Sequence, residues 1–123
     1  MATAPVTGSL TNAYTTAATG ISATFAPAIA ISVGVTGTPV SFNITLDTLS
    51  GSFVGTAIIQ KSTNGGANWG AVVFPGQAAG NTTAFLGTSF GLSVTLTETQ
   101  SGVLYRVIAS AYTSGTLNYQ FGQ

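Results

Sequence analysis

Residues 40–47 read Val-Ser-Phe-Asn-Ile-Thr-Leu-Asp, an uninterrupted alternation of apolar and polar side chains. A period of two places the apolar side chains on one face of a β-strand and the polar ones on the other. The stretch therefore predicts a strand with one face on a core and the other toward solvent or a partner. It is the clearest strand in the chain.

Similar segments follow it as far as the C terminus, separated by turn residues at a spacing of roughly ten residues. They are Phe53–Lys61, Trp69–Phe74, Thr82–Leu86, Leu92–Thr97, Val103–Ile108 and Thr116–Phe121. No segment repeats apolar residues at the helical spacing of three and four, and 16 Gly spread along the chain disfavour helices. The sequence predicts an all-β fold, an antiparallel β-sandwich of jelly-roll or Ig-like type with seven or eight strands.

The first part of the chain differs from the rest in its composition and its periodicity. Residues 1–28 are rich in Ala, Thr, Ser and Gly with weak periodicity, and they predict an extended N-terminal arm with one strand at most. Residues 29–123 are predicted to form the sandwich domain. The arm is either a disordered tail or a segment that orders against a neighbouring subunit, with Tyr14, Ile21 and Phe25 as its anchors.

Charged side chains are scarce. The four of them, Asp47, Lys61, Glu98 and Arg106, are 3% of the chain, whereas soluble domains carry roughly 25%. Polarity comes instead from 21 Thr and 12 Ser. A chain of zero net charge has little self-repulsion, which favours association. We therefore expect a homo-oligomer or a larger assembly that buries uncharged polar faces.

The sequence also predicts where the individual charged and aromatic residues lie. Lys61 and Glu98 are expected at exposed strand ends, and Arg106 beside a polar neighbour across its strand. Trp69 is expected in the core, where large rings are usually buried.

The missing residue types restrict the chemistry. The chain has no His and no Cys, so it lacks the parts of a Ser-His-Asp triad, a thiolate nucleophile, a disulfide or a typical zinc site. Asp47 and Glu98 fall in two separate predicted turns, which disfavours a catalytic carboxylate pair. The sequence predicts a protein that is not an enzyme, with no cofactor and no metal.

Two classes of partner are disfavoured on the same grounds. One Lys and one Arg cannot build a basic patch, so neither nucleic acid nor an anionic membrane surface is an expected partner. Gly20, Pro27 and Gly34 interrupt the apolar N-terminal region, which argues against a transmembrane helix. No cationic residue precedes that region, so no signal peptide is predicted.

One local motif stands out, the run Ser-Thr-Asn-Gly-Gly-Ala-Asn-Trp at residues 62–69, between two predicted strands. It resembles the Asp-box hairpin, with Asn64 in place of the usual Asp. The Asn side chain can bond the turn backbone, the glycines can take positive φ, and the indole can cover the hairpin. A single copy predicts a structural hairpin without glycosidase activity, built from Ser62, Asn64, Gly65, Gly66 and Trp69.

A wider resemblance includes this hairpin. The stretches VGTAIIQKSTNGGANWGAVV (54–73) and LYRVIASAYTSGTLNYQFGQ (104–123) resemble small tailed-bacteriophage virion proteins. The likeness covers about residues 53–123. It implies a β-sandwich located in a virion, on the capsid surface as a decoration or cement protein, with the major capsid protein or other virion subunits as partners.

Two other functions remain open. One is a structural component of the tail or neck. The other belongs to a different class, a carbohydrate- or surface-binding module in which Trp69, Tyr112 and Tyr119 would stack on sugar rings. Aromatic rings exposed in one plane would favour the second.

Overall fold

Two antiparallel β-sheets packed face to face make up the computed structural model, which describes residues 5–14, 20–28, 36–47, 53–72, 83–86 and 91–123. No α-helix occurs in these ranges, and the predicted all-β sandwich of seven or eight strands is confirmed. The strands are β1 (Val6–Leu10), β2 (Thr36–Asp47), β3 (Phe53–Ser62), β4 (Gly70–Ala71), β5 (Thr83–Leu86), β6 (Gly91–Gln100), β7 (Leu104–Gly115) and β8 (Leu117–Gly122).

The order of the strands distinguishes the two predicted sandwich types. Sheet A has the order β1-β8-β2-β6. In sheet B, β3 pairs with β7 and with the short strands β4 and β5. The segment 20–28 lies along β7, where Phe25 and Tyr105 exchange two backbone hydrogen bonds of 2.8 Å. With this segment as an edge of sheet B, the chain passes repeatedly between the sheets and its first and last strands are paired, as in a jelly roll.

This arrangement corrects the predicted division into a 1–28 arm and a 29–123 domain. The described part of the arm belongs to the sandwich, because β1 is an edge strand of sheet A and segment 20–28 covers β7. The periodicity of β1 is weak for a steric reason: Gly8 faces inward, and a Cβ there would collide with the phenol ring of Tyr119. A glycine at an inward position hides the alternation that identifies a strand.

The core lies between the sheets and is rich in aromatic residues. The ring centroid of Phe25 lies 5.3 Å from that of Phe42 and 5.4 Å from that of Phe121. The largest fully buried side chains are Phe25, Phe42, Phe53, Phe121, Leu10, Ile44, Leu46, Leu117, Val103 and Val107. The apolar positions of the 40–47 stretch are thus inside, as its alternation predicts, apart from the half-buried Val40 at its start.

Several strands differ in length from the prediction, among them β2, which begins at Thr36, and β6, which ends at Gln100. The strand expected over Trp69–Phe74 is only Gly70–Ala71 among the described residues, and 73–74 lie outside them. Strand β7 continues to Gly115, beyond the predicted end at Ile108. Its extension carries Ser110, Thr113 and Ser114 and so lacks an apolar pattern, but its backbone still pairs with β3 across two register shifts.

Candidate functional site

The hairpin between β3 and β4 has the internal hydrogen bonds that its sequence predicts. The Ser62 hydroxyl, which is buried, donates to Asn64 Oδ1 over 2.9 Å and accepts from the backbone N–H of Gly66 over 2.9 Å. Asn64 Oδ1 also accepts from the backbone N–H of Asn68 over 3.0 Å. Two short side chains therefore hold the turn backbone.

Glycine is required at the tip of this hairpin. Gly65 and Gly66 have φ values of 73° and 94°, a region that residues with a Cβ rarely adopt. The indole of Trp69 turns back across the hairpin and donates from Nε1 to the Gly66 carbonyl over 3.1 Å. The five residues predicted to form a structural hairpin lie together in one turn.

Trp69 is half-buried and lies outside the core, contrary to expectation. The guanidinium of Arg106 lies over its ring at 4.2 Å from the centroid, and Arg106 Nε donates to Gln60 Oε1 over 2.8 Å. The polar neighbour expected across the strand from Arg106 is therefore Gln60. Burial lowers the pKa of Arg106, while Tyr14 opposes the shift. The hairpin is fastened to β7 by a cation–π contact.

A second group of polar residues joins the two sheets next to this hairpin. Lys61 Nζ is 2.8 Å from Glu98 Oε1, and the Tyr105 hydroxyl donates to the same oxygen over 2.7 Å. Glu98 Oε2 accepts from the backbone N–H groups of Thr99 and Gln100, each over 3.0 Å. Lys61 and Tyr105 belong to sheet B and Glu98 to sheet A, so the carboxylate links the sheets.

Glu98 is only 4% exposed, which corrects the expectation of an exposed strand end. Burial alone would raise the pKa of its carboxyl, but the hydrogen bonds from Lys61, Tyr105 and the backbone hold that pKa below 4.5. Burial and the neighbouring carboxylate raise the pKa of Tyr105. The group is therefore a charged, fully bonded link at neutral pH.

Sequence reasoning missed this link. The available signal was Tyr105, which alternates with the apolar residues Val103 and Val107 and so faces inward. An inward tyrosine needs a partner for its hydroxyl, and Glu98 is one of only two acidic side chains in the chain. The distance between residues in two sheets could not be read from the sequence.

An open pocket of about 380 Å³ lies beside the hairpin. Lys61 is its one charged residue, and the side chains and backbone around it are otherwise neutral. Its lining consists of Lys61, Thr63, Asn64, Asn68, Trp69, Gly70 and Ala71.

The outward side chains of sheet A are polar, and we call this surface the polar face. Its rows follow the strand registers, for example Thr7, Gln120, Thr45 and Ser93 across all four strands. Its only charged residue is Asp47, which accepts from Asn118 Nδ2 over 3.1 Å. The polar face comprises Thr7, Ser9, Ser41, Asn43, Thr45, Asp47, Ser93, Thr95, Thr97, Thr99, Asn118 and Gln120.

The three residues predicted as interface anchors of the arm all lie along β7 of their own chain and differ in their exposure. Phe25 is 0% exposed in the core of its own chain, and Ile21 bridges to Ile108 of β7. Only Tyr14, with 38% of its surface exposed, is available to a neighbouring subunit. The proposed sugar-stacking plane is absent too, since Tyr119 is buried and Tyr112 packs against Phe53.

The two acidic side chains lie far apart. Asp47 pairs with Gly91 at one end of the β2–β6 ladder, and Glu98 pairs with Val40 near the other. No three His, Cys, Asp or Glu residues come together as a possible metal site in the described ranges. Within the same ranges, no helix has the length and apolar character to cross a membrane.

Comparisons with protein-family models, with curated proteins and with solved structures give no match for this chain.

Proposed function

We propose that this chain is a non-enzymatic structural protein of a phage-like virion, a decoration protein on the capsid surface that bridges major-capsid subunits. The polar face of sheet A carries this proposal. It presents hydroxyl and amide groups on four paired strands, with Asp47 as its one charge. Such a face can be buried against another protein without desolvating several ions, which is the costly part of burying a polar surface.

The distribution of the charges supports this role. Lys61, Glu98 and Arg106 are engaged within the protein, by the ion pair and by the contact with Trp69. They contribute little to the attraction of a distant partner. Binding through the polar face should therefore depend on shape and hydrogen bonds, and on repetition over a shell, where many modest contacts add.

Two analogies also support the proposed role in a virion. The resemblance of residues 53–123 to small virion proteins points to a particle, and jelly rolls are common among viral capsid and lectin domains. A fold hosts many functions, so the jelly roll by itself favours neither of these classes. The polar face favours a capsid protein over a lectin, because it contains no aromatic ring on which a sugar could stack.

Co-sedimentation with capsids of the phage or prophage that encodes the chain tests the proposal. We expect binding that persists at about 1 M salt, where the Debye length is about 3 Å. Thr45→Lys, which puts a cation in the middle of the polar face, should weaken binding about tenfold or more. Thr63→Lys, on the exposed hairpin, is the matched control and should bind normally. Equal loss in both variants, or release by salt, would contradict the proposal.

A second candidate is carbohydrate binding at the hairpin pocket. The observation in its favour is the open pocket, where half-buried Trp69 lies beside the amides of Asn64 and Asn68. Trp69 is the only tryptophan, so its fluorescence reports on this pocket alone. Saturable quenching by one glycan, abolished in Asn68→Ala and unaffected in Thr113→Ala, together with failure to bind capsids, would favour this function over the first.

A further inference from the structure

Strand β6 is a long sheet edge. It runs for ten residues, from Gly91 to Gln100, and pairs with β2 on one side. None of the described residues pairs with its other side. Such an edge presents a row of backbone N–H and C=O groups that can pair with another strand.

The other strand edges that the described residues form are shorter or are covered by another segment of the chain. Strand β1 has five residues, and β7 is covered by segment 20–28 of the same chain. Strand β6 also lacks the usual protection, because it contains no Pro, Lys or Arg. Its single charge, Glu98, turns inward to Lys61 and Tyr105, and the ladder from Glu98 to Gly91 runs without a bulge.

We propose that a second copy of this chain pairs with β6 in antiparallel fashion about a twofold axis, so that the two copies of sheet A form one continuous sheet. The exposed residues of β6 on the polar face all carry hydroxyls: Ser93, Thr95, Thr97 and Thr99. When the faces of the two sheets are matched and the twofold axis passes at Leu96, Ser93 of one copy lies opposite Thr99 of the other, and Thr95 lies opposite Thr97. Hydroxyl pairs of this kind stabilise antiparallel strands.

Two further features favour a second copy of the chain as the partner of β6. Antiparallel self-pairing brings no exposed charges opposite each other, because β6 has none on the polar face. Leu96 faces the core but is only partly buried at this edge, and a neighbouring strand would cover its exposed part. A twofold contact of this kind is isologous and closes at a dimer.

The pairing does not depend on the proposed function, but it would enlarge the surface that the function uses. Four strands about 4.8 Å apart, with about eight residues rising about 3.3 Å each, give a footprint of about 500 Å². Stable interfaces bury about 800 Å² per partner. A dimer joins two polar faces into a footprint of about 1,000 Å², which exceeds that size.

Disulfide trapping tests the pairing directly, because the chain contains no Cys. Single substitutions Ser93→Cys, Thr95→Cys, Leu96→Cys, Thr97→Cys and Thr99→Cys are oxidised mildly, alone and in mixed pairs. Residues opposite each other in neighbouring strands are close enough to form a disulfide. We expect one self-pair or one set of mixed pairs to crosslink at least about tenfold faster than Thr7→Cys on β1 and Thr63→Cys in the hairpin.

Charge substitution supplies an independent test by sedimentation velocity. The double variant Thr95→Lys/Thr97→Lys should raise the dimer dissociation constant at least about tenfold, since like charges would face each other. Mixing it with Thr95→Glu/Thr97→Glu should restore the dimer, and Thr7→Lys should leave it unchanged. Circular dichroism of each variant establishes that the fold is intact.

Two results would overturn the inference: wild-type protein that stays monomeric at every concentration, or β6 cysteines that crosslink no faster than the controls. Dimers that form through β6 but fail to bind capsids would leave the inference standing and contradict only the proposed function.

Discussion

At the scale of single residues, Glu98 has the clearest physical role. Its carboxylate accepts hydrogen bonds from Tyr105, Thr99 and Gln100 and pairs with Lys61, so both oxygens are satisfied although the side chain is buried. A buried ion pair contributes little net stability, but removing one partner is costly because the other is left unpaired. The link therefore favours one alignment of the two sheets over others.

The lowered pKa of Glu98 predicts a pH dependence of stability. A carboxyl whose pKa is lower in the folded state stabilises the protein above its unfolded pKa of about 4.5, and this contribution is lost as the pH falls through the folded pKa. We expect the free energy of unfolding in urea to fall as the pH is lowered from about 5 through the folded pKa of Glu98. Glu98→Gln should lower stability by about 1–3 kcal/mol at neutral pH and flatten this dependence.

Asp47→Asn is the natural control, because Asp47 is the only other acidic side chain. It should keep most of the pH dependence. Identical pH profiles for the wild type and Glu98→Gln would contradict the role given to Glu98.

Trp69 stabilises the hairpin from outside the core, which sets the size of the effect expected on its removal. Trp69→Ala loses the hydrogen bond to Gly66 and the contact with Arg106. Each is worth about 1 kcal/mol, so we expect a loss of about 2 kcal/mol, measured by urea unfolding with circular dichroism. Trp69→Phe should recover part of it. A loss above about 4 kcal/mol would indicate a core residue instead.

At the scale of elements, the N-terminal segment is the main difference between sequence and structure. Segment 20–28 is fixed by backbone bonds to β7 and by Gln123, whose Oε1 accepts from the backbone N–H of Ala28 over 2.7 Å. The backbone N–H of Ala23 donates to the Tyr119 hydroxyl over 3.1 Å. The segment completes the edge of sheet B that would otherwise be open.

Substitutions of Phe25 and of Tyr14 are therefore expected to differ in their effect on stability. Phe25→Ala should destabilise the fold by about 3–5 kcal/mol, as expected for a buried phenylalanine. Tyr14→Ala, at an exposed position, should change stability by less than about 0.5 kcal/mol. Thermal unfolding of the two variants checks both values. A stable Phe25→Ala variant that no longer assembles would restore the idea of an arm reaching a neighbouring subunit.

Gly8 offers a test of the way β1 is built. Gly8→Ala adds a methyl group where the Tyr119 ring lies, and overpacking of this kind costs about 1–3 kcal/mol. Ser9→Ala, at the next and outward position of the same strand, should cost less than about 1 kcal/mol. Chemical denaturation separates the two. Equal effects would mean that β1 is not held against Tyr119.

The predictable part of the fold was the part with regular alternation. Phe42, Ile44 and Leu46 identified the core face of β2, and the 62–69 motif gave its hairpin residue by residue. Strand β1 was hidden because Gly8 makes room for Tyr119. The link through Glu98 was hidden because it joins strands of different sheets, a relation that only the packing of the sheets creates.

At the scale of the whole molecule, the few charges are distributed unevenly. Both cations lie on sheet B, where Lys61 reaches across to Glu98 and Arg106 covers Trp69. The polar face of sheet A is left with Asp47 alone. Because charged residues are scarce, sheet A presents a broad face of uncharged hydrogen-bonding groups, which is suited to burial.

A cryo-electron microscopy map of capsids reconstituted with the protein tests the central claim most directly. We expect density for the jelly roll on the outside of the shell, with the polar face of sheet A in contact with major-capsid subunits and the Trp69 hairpin facing away. Empty decoration positions, or density in which the hairpin contacts the shell and the polar face is turned to solvent, would contradict it.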